Sequence, residues 1–352
     1  MGSAWARLRG HSEQRALFAK SVSGNRLSHA YVLAGPDGIG KSVFARLLAQ
    51  SIFCRKRPEG QIEACGECRA CRSFEAGTWP DYMEISRPEG KSEIPVAAIA
   101  GSAEKRGREG LCFELSMAPQ ASTRRVAVIN EAHLMNTEGA NALLKTLEEP
   151  PALALILLVC DSPDSLLPTI RSRCQIIRFF PLTEADVAAV LLEQKLTEDP
   201  AEAASVAAVS EGSLTLAQQL LHPGLRQLRE LVAVELARFD QMKPLELSKR
   251  IAEELQKISA GLEEQRQHAQ WVLRFLTDAL GEALKRLVSG DFSDPLLQRL
   301  GVRCGSDLLS SLLDRVLQAS RHIEGNSPLP LVLDALFDDL ARAIRLGPAS
   351  AR

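Results

Sequence analysis

His29-Ala-Tyr-Val-Leu-Ala-Gly35-Pro-Asp-Gly-Ile-Gly40-Lys41-Ser42 decides the fold. Six residues of strand character run into G-x-x-x-x-G-K-[ST], and a helix signal follows at once. Val43, Phe44, Leu47, Leu48, Ser51 and Ile52 are expected to share its buried face. Such a loop turns backbone N–H groups inward around phosphate oxygens, and the helix N-terminus adds its positive dipole. Gly35, Gly38 and Gly40 shape the cradle, Lys41 reaches the β/γ-phosphates and Ser42 can hold Mg²⁺. The expected ligand is ATP or ADP with Mg²⁺.

A phosphate loop usually works with an acidic residue ending a second buried strand. The candidate, Val126-Ala-Val-Ile-Asn130-Glu131, carries an amide where the carboxylate is expected, then a Glu that could orient water. An amide is a poor partner for a hard cation. Nucleotide binding can survive that exchange, whereas hydrolysis should suffer, and Glu131 keeps only a weak claim to a catalytic role.

Cys54, Cys65, Cys68 and Cys71 form C-x₁₀-C-x₂-C-x₂-C just after the loop's helix. Four close thiolates suit the closed tetrahedral shell of a structural Zn²⁺. An iron–sulfur run opens similarly, but needs a fourth Cys followed by Pro, and the next here is Cys112. Zinc is therefore favoured. Cys112, Cys160, Cys174 and Cys304 are scattered and read as buried small residues.

The 352 residues suffice for two or three domains, and 42 Lys plus Arg against 44 Asp plus Glu leave a net charge of −2. That balance argues against a uniformly basic nucleic-acid binder. Residues 1–60 differ, with ten Lys/Arg against three Asp/Glu. Neither a signal-peptide run nor a membrane span is visible, so no membrane role and a cytoplasmic location are expected. Strands are expected at 29–34, 81–85, 126–130, 154–160 and 176–180, alternating with helices such as 137–149, which implies a parallel α/β sheet. After Pro181 the pattern turns helical, with breakers at His222-Pro223-Gly224 and across 289–295. The expected domains are 1–180 with a cysteine module at about 54–71, a small helical domain at 181–222 and a helical bundle at 223–352. Helices at 245–258 and 271–288 carry apolar faces, which suit an ordinary intramolecular core and could also serve oligomerisation.

Two further phrases follow in order: Asn141-Ala-Leu-Leu-Lys-Thr-Leu-Glu-Glu-Pro-Pro151 and Leu167-Pro-Thr-Ile-Arg-Ser-Arg-Cys174. With the phosphate loop and the inserted cysteines, they closely resemble the bacterial clamp-loader subunits of DNA polymerase III holoenzyme, which are AAA+ proteins. The resemblance spans about residues 10–220. It implies an AAA+ P-loop domain with a zinc-binding insertion, a helical lid and an all-α collar. It also implies a hetero-oligomeric ring with gamma/tau and delta subunits, acting with the sliding clamp and primer–template DNA.

Ser172-Arg173-Cys174 matches the family's SRC motif, whose Arg serves ATP bound next door, which makes Arg173 a trans arginine finger. The ATPase members carry Asp-Glu where this chain has Asn130-Glu131. Their sensor Thr falls here near Cys160-Asp161, and their Gly-Ser-x-Arg phrase reads Gly212-Ser213-Leu214-Thr215. Groups serving hydrolysis in cis are degraded while the trans Arg is intact. A largely non-hydrolysing structural subunit is the favoured reading, with weak or absent ATPase and no polymerase active site of its own. The alternative is an ATP-hydrolysing gamma/tau-like subunit or another AAA+ motor. A zinc-dependent nucleic-acid-binding module with a vestigial loop ranks below both.

Overall fold

The computed structural model describes residues 4–57, 61–88, 91–238, 241–289 and 295–346. Contacts divide the chain into two compact units, one ending at Gln218 and the other starting at Gln219. The first is built on five strands: β1 (Ala30–Ala34), β2 (Tyr82–Ile85), β3 (Arg125–Ile129), β4 (Ala154–Cys160) and β5 (Gln175–Arg178). They form one wholly parallel sheet in the order β2-β3-β4-β1-β5. All five lie where the sequence places them, although β5 stops two residues short of the expected end.

Every residue of β1, β3 and β4 is buried, because helices cover both faces of the sheet. Alternation divides each strand between two cores. Tyr31, Leu33, Val126, Val128, Leu155 and Leu157 pack on one side with Phe18, Phe44 and Leu48. Ala30, Val32, Ala127, Ile129, Ile156 and Leu158 pack on the other with Ile99, Leu143 and Leu147. The loop's helix, Lys41–Phe53, buries Phe44, Leu47, Leu48 and Ser51 as expected. Val43 is a correction: it is 45% exposed, one position off the buried arc. Of the four scattered cysteines, Cys160 and Cys304 are buried while Cys112 and Cys174 are half-buried.

A buried ionic knot ties β2 to β3. The Asp81 carboxylate, fully buried, accepts hydrogen bonds from the backbone N–H groups of Gln120, Ala121 and Ser122 and from the Ser122 hydroxyl at 2.7–2.8 Å. Arg125, 2% exposed, donates to the Glu114 carbonyl and carboxylate at 2.9 and 3.1 Å and lies 3.8 Å from Asp81. Burial alone would raise the Asp81 pKa, but the backbone donors outweigh it and hold it below the usual carboxylate range. A depressed carboxylate contributes stability above its unfolded pKa, and that stability is lost as pH falls through the folded value. Asp81→Asn should therefore cost about 2–4 kcal/mol at pH 7. In melts taken from pH 7 down to 3, the gap from wild type should narrow below about pH 4.

The first unit closes with helices Glu184–Glu193, Pro200–Val209 and most of Leu214–Leu221. Thr183 caps the first of these, its hydroxyl accepting from Asp186 N. Beyond it the chain is helical: Pro223–Ala237, Pro244–Ile258, Leu262–Ser289, Pro295–Glu324 and Leu329–Leu346. Val272, Leu276, Leu280, Leu312, Val316, Leu333 and Leu340 form that unit's interior. The helix expected at 271–288 begins nine residues earlier, at Leu262, through polar turns of which only His268 and Ala269 are buried. The long 295–324 helix is broken by Gly305, at φ 69°. Most of the breaker expected across 289–295, and residues 58–60 of the cysteine segment, lie outside the described residues. Among the described residues no helix is long and apolar enough to cross a membrane.

Candidate functional site

The phosphate loop leaves the end of β1. Gly38 and Gly40, at φ 75° and 96°, supply the left-handed turns that other residues adopt only under strain. A side chain at Gly35 would meet the Phe179 carbonyl at 2.4 Å, so the loop's entry is closed by the chain leaving β5. Lys41 is 5% exposed, and its ammonium donates to the carbonyls of Gly35 and Pro36 at 2.6 and 2.5 Å. Asp161, after β4, lies 3.5 Å away. Burial lowers the Lys41 pKa, and Asp161 and Asp37 work against that shift.

The segment opening the 214–221 helix rests on the loop's apex. Leu214 N–H donates to the Gly38 carbonyl at 2.8 Å. A Cβ on Gly38 would come within 2.3–2.7 Å of Ser213 Oγ, Thr215 Oγ1 and Thr215 N. Thr215 thus reaches the loop where the resemblance expects an Arg, but it brings no cation. On another side, His11 Nε2 lies 2.7 Å from the Ile39 carbonyl. Burial lowers the His11 pKa more than that contact raises it.

Asn130 does not face a second carboxylate of its own motif. Its amide donates to Glu84 Oε1 at 2.8 Å and to Ser86 Oγ at 3.1 Å. The other Glu84 oxygen accepts from Tyr82 Oη and Arg46. Glu131, held at φ 49°, lies 3.5 Å from the Arg87 guanidinium. Restoring a carboxylate at position 130 would put two acids at hydrogen-bond distance, where both cannot stay ionised. Asn130→Asp should lower stability by about 1–3 kcal/mol at pH 7 without creating turnover. Adding Glu84→Gln should recover the stability. Equal melting temperatures for wild type and Asn130→Asp would contradict this reading of the Asn130–Glu84 pair.

Arg173 stands at the other end of the sheet. β5 runs parallel to β1 with Gln175 beside Tyr31, and Arg173 precedes Gln175. The phosphate loop leaves β1 four residues beyond Tyr31, about 13 Å along the strand. Arg173 NH2 pairs with Glu148 Oε1 at 2.7 Å, and NH1 donates to the Thr169 carbonyl at 2.9 Å and to Ser172 Oγ at 3.2 Å. Arg171 pairs with Asp164 instead.

The four cysteines converge. Their Sγ atoms all lie within 4.8 Å of one another, with Cys54–Cys65 at 3.7 Å and Cys65–Cys71 at 4.0 Å. A tetrahedral ion with bonds of about 2.3 Å would hold its sulfurs about 3.8 Å apart. The residues fit one metal ion; a polynuclear cluster would have to spread them. Backbone N–H groups of Cys65, Cys68 and Cys71 point at the preceding ligand's sulfur, at 3.3–3.5 Å. Burial would raise the Cys68 thiol, but the N–H groups of Cys71 and Arg55 hold it down to about 6. Phe53, Phe74, Trp79 and Tyr82 pack on one another and share one core with the cysteines.

Residues 10–183 match the model of the family described as DNA polymerase III, delta subunit. That match covers just under half of the chain. The chain is 38% identical to the delta-prime subunit of Pseudomonas aeruginosa over 220 residues, 62% of this chain and 63% of that one. It is 38% identical to the Bacillus subtilis delta-prime subunit over 181 residues, 51% of each chain. A gamma/tau subunit from Mycobacterium bovis is 34% identical over 171 residues, 49% of this chain and 28% of that one. The delta-prime clamp-loader resemblance read from the motifs therefore stands. The chain spans between half and just under two thirds of the length of the delta-prime relatives it matches.

Sequence reasoning did not find Glu148, Glu84 or the roles of Asp161 and Ser213. Glu148 and Asp161 lie within or beside quoted phrases, but no spacing rule pairs them with Arg173 and Lys41 across 25 and 120 residues of chain.

Proposed function

We propose that this chain is a delta-prime-like subunit of the DNA polymerase III clamp loader, largely without hydrolysis of its own. On this reading it lends Arg173 to ATP bound on a neighbouring gamma/tau-type subunit. The observation that carries it is the separation of Arg173 from its own phosphate loop, at opposite ends of parallel strands. A guanidinium so placed serves another subunit's nucleotide or none. The cis machinery agrees: Asn130 is tied to Glu84, Thr215 replaces an Arg, and the Lys41 ammonium is engaged by its own loop.

The AAA+ domain on this reading is 1–180, with a zinc module at about 54–71, a lid at 181–222 and a collar at 223–352 that holds the ring. Cys54, Cys65, Cys68 and Cys71 would hold Zn²⁺, which braces the segment and takes no part in chemistry. Gly35, Gly38, Gly40, Lys41 and Ser42 would bind ATP or ADP with Mg²⁺, and Glu131 has at most a minor part. The partners are gamma/tau and delta subunits, and through the ring the sliding clamp and primer–template DNA. The test is turnover: the isolated chain should hydrolyse ATP at background, yet raise the DNA-stimulated rate when added to gamma/tau-type and delta subunits. Rapid turnover by the chain alone would favour the ATPase-motor alternative.

A further inference from the structure

The Lys41 ammonium has three acceptors within reach of its three N–H groups: the carbonyls of Gly35 and Pro36 at 2.6 and 2.5 Å, and Asp161 Oδ1 at 3.5 Å. Two of these are neutral and belong to the loop itself. The third is a carboxylate from another strand. β4 lies parallel to β1 with Cys160 beside Ala34, and the Gly35 N–H donates to the Cys160 carbonyl at 3.3 Å. Asp161 therefore leaves β4 directly beside the residue that opens the loop. Its side chain is 55% exposed and that of Lys41 5%, so the carboxylate meets the buried ammonium from the solvent side, where a ligand enters. Asp37, inside the loop, adds a second negative charge that acts on Lys41.

We propose that the loop at 35–42 takes a nucleoside diphosphate in preference to a triphosphate, and that the Asp161 carboxylate is what discriminates. The proposal rests on the reading of that loop as a nucleotide site. A phosphate-loop lysine serves both the β- and the γ-phosphate. A diphosphate asks for the first contact alone and leaves the Lys41–Asp161 pair in place. A triphosphate brings its outermost charge to the same ammonium, against the Asp161 carboxylate, and like charges so close in a half-buried site repel strongly. The usual compensation is weak here. Mg²⁺ that bridges β- and γ-oxygens draws on an acid at the end of β3, where Asn130 offers an amide tied to Glu84. Thr215, at the loop's apex, brings a hydroxyl and no cation. Asp161 thus stands in for the charge of a third phosphate, and a diphosphate becomes a fixed part of the subunit while turnover belongs to its neighbours.

The test is displacement of N-methylanthraniloyl-ADP from the full chain by ADP and by the non-hydrolysable triphosphate β,γ-imido-ATP, with Mg²⁺ present, followed by fluorescence anisotropy. Wild type should bind the probe saturably and favour the diphosphate by about tenfold or more. Asp161→Asn keeps the shape and removes the charge. It should bring the two affinities within about threefold, mainly through tighter binding of the triphosphate, at an unchanged melting temperature. Asp164→Asn removes an exposed charge on the same segment, one that pairs with Arg171 instead, and should leave the preference intact. The proposal is overturned if wild type binds both nucleotides alike, or if Asp164→Asn abolishes the preference as fully as Asp161→Asn. It is equally overturned if Asp161→Asn moves both affinities together, since the carboxylate would then only neutralise Lys41. Absence of saturable probe binding overturns it together with the assignment of residues 35–42, and leaves the role given to Arg173 untouched. Turnover of ATP by the same samples is scored separately: background turnover with equal affinities sinks the proposal alone, whereas rapid turnover sinks the non-hydrolysing reading and leaves the affinity ratio to decide the proposal.

Discussion

Arg173→Ala is expected to cut the DNA-stimulated ATP turnover of an assembled clamp loader by at least tenfold, and by as much as roughly 10³-fold if no other cation reaches the same phosphate. In the proposed role the guanidinium would neutralise charge that develops on the transferring phosphoryl group, so the loss should fall on kcat more than on KM. Arg173→Lys should rescue little, because an ammonium cannot reproduce the fork that meets two oxygens. The three contacts from Glu148, Thr169 and Ser172 bear on the size of the effect. They hold the guanidinium before a neighbour arrives, which lessens the ordering cost of engagement. Assembly should survive the substitution, because Arg173 is a partly exposed residue whose removal leaves no fully buried group unpaired.

Removing the metal should have the largest effect on the first unit's stability. Cys71 is fully buried and the sulfurs are already at a single ion's spacing, so without the ion four thiols would crowd together with no covalent tie. Structural zinc contributes several kcal/mol or more to a module that has little apolar content of its own. For a unit of this size that corresponds to a melting shift of roughly 10 °C downward. Elemental analysis of the native chain should give one zinc per chain, lost to a strong chelator and lost as pH falls, since the ligands must be thiolates. Trp79, buried beside Phe53, should report the loss as a red-shifted emission. A chain that holds no metal yet melts unchanged would contradict the cysteine assignment.

The parts legible in the sequence were those whose signal is local. The phosphate loop, the five strands and the cysteine cluster each lie within a short run, where period and spacing carry the chemistry. Val43 was misplaced because apolar character alone does not fix which side of a helical arc is covered. The first turns of the 262–289 helix carry no apolar stripe, since their buried positions are His268 and Ala269. Glu148, Glu84 and Asp161 were invisible for a different reason: each acts through a contact made only once separate strands and helices are assembled. Asn130 shows the difference most clearly. In its motif it reads as a missing acid, whereas in the fold its amide donates to a carboxylate already present at Glu84.

The central claim is that this subunit acts on a neighbour's nucleotide and not on its own, and a paired substitution tests it most directly. Rings assembled with the Lys41→Ala chain and with the Arg173→Ala chain, all other subunits wild type, would be compared for DNA-stimulated ATP turnover. The Lys41→Ala ring should stay within about twofold of wild type while the Arg173→Ala ring should fall at least tenfold. The reverse pattern, a collapse with Lys41→Ala and near-normal turnover with Arg173→Ala, would make this chain a motor in its own right and contradict the account.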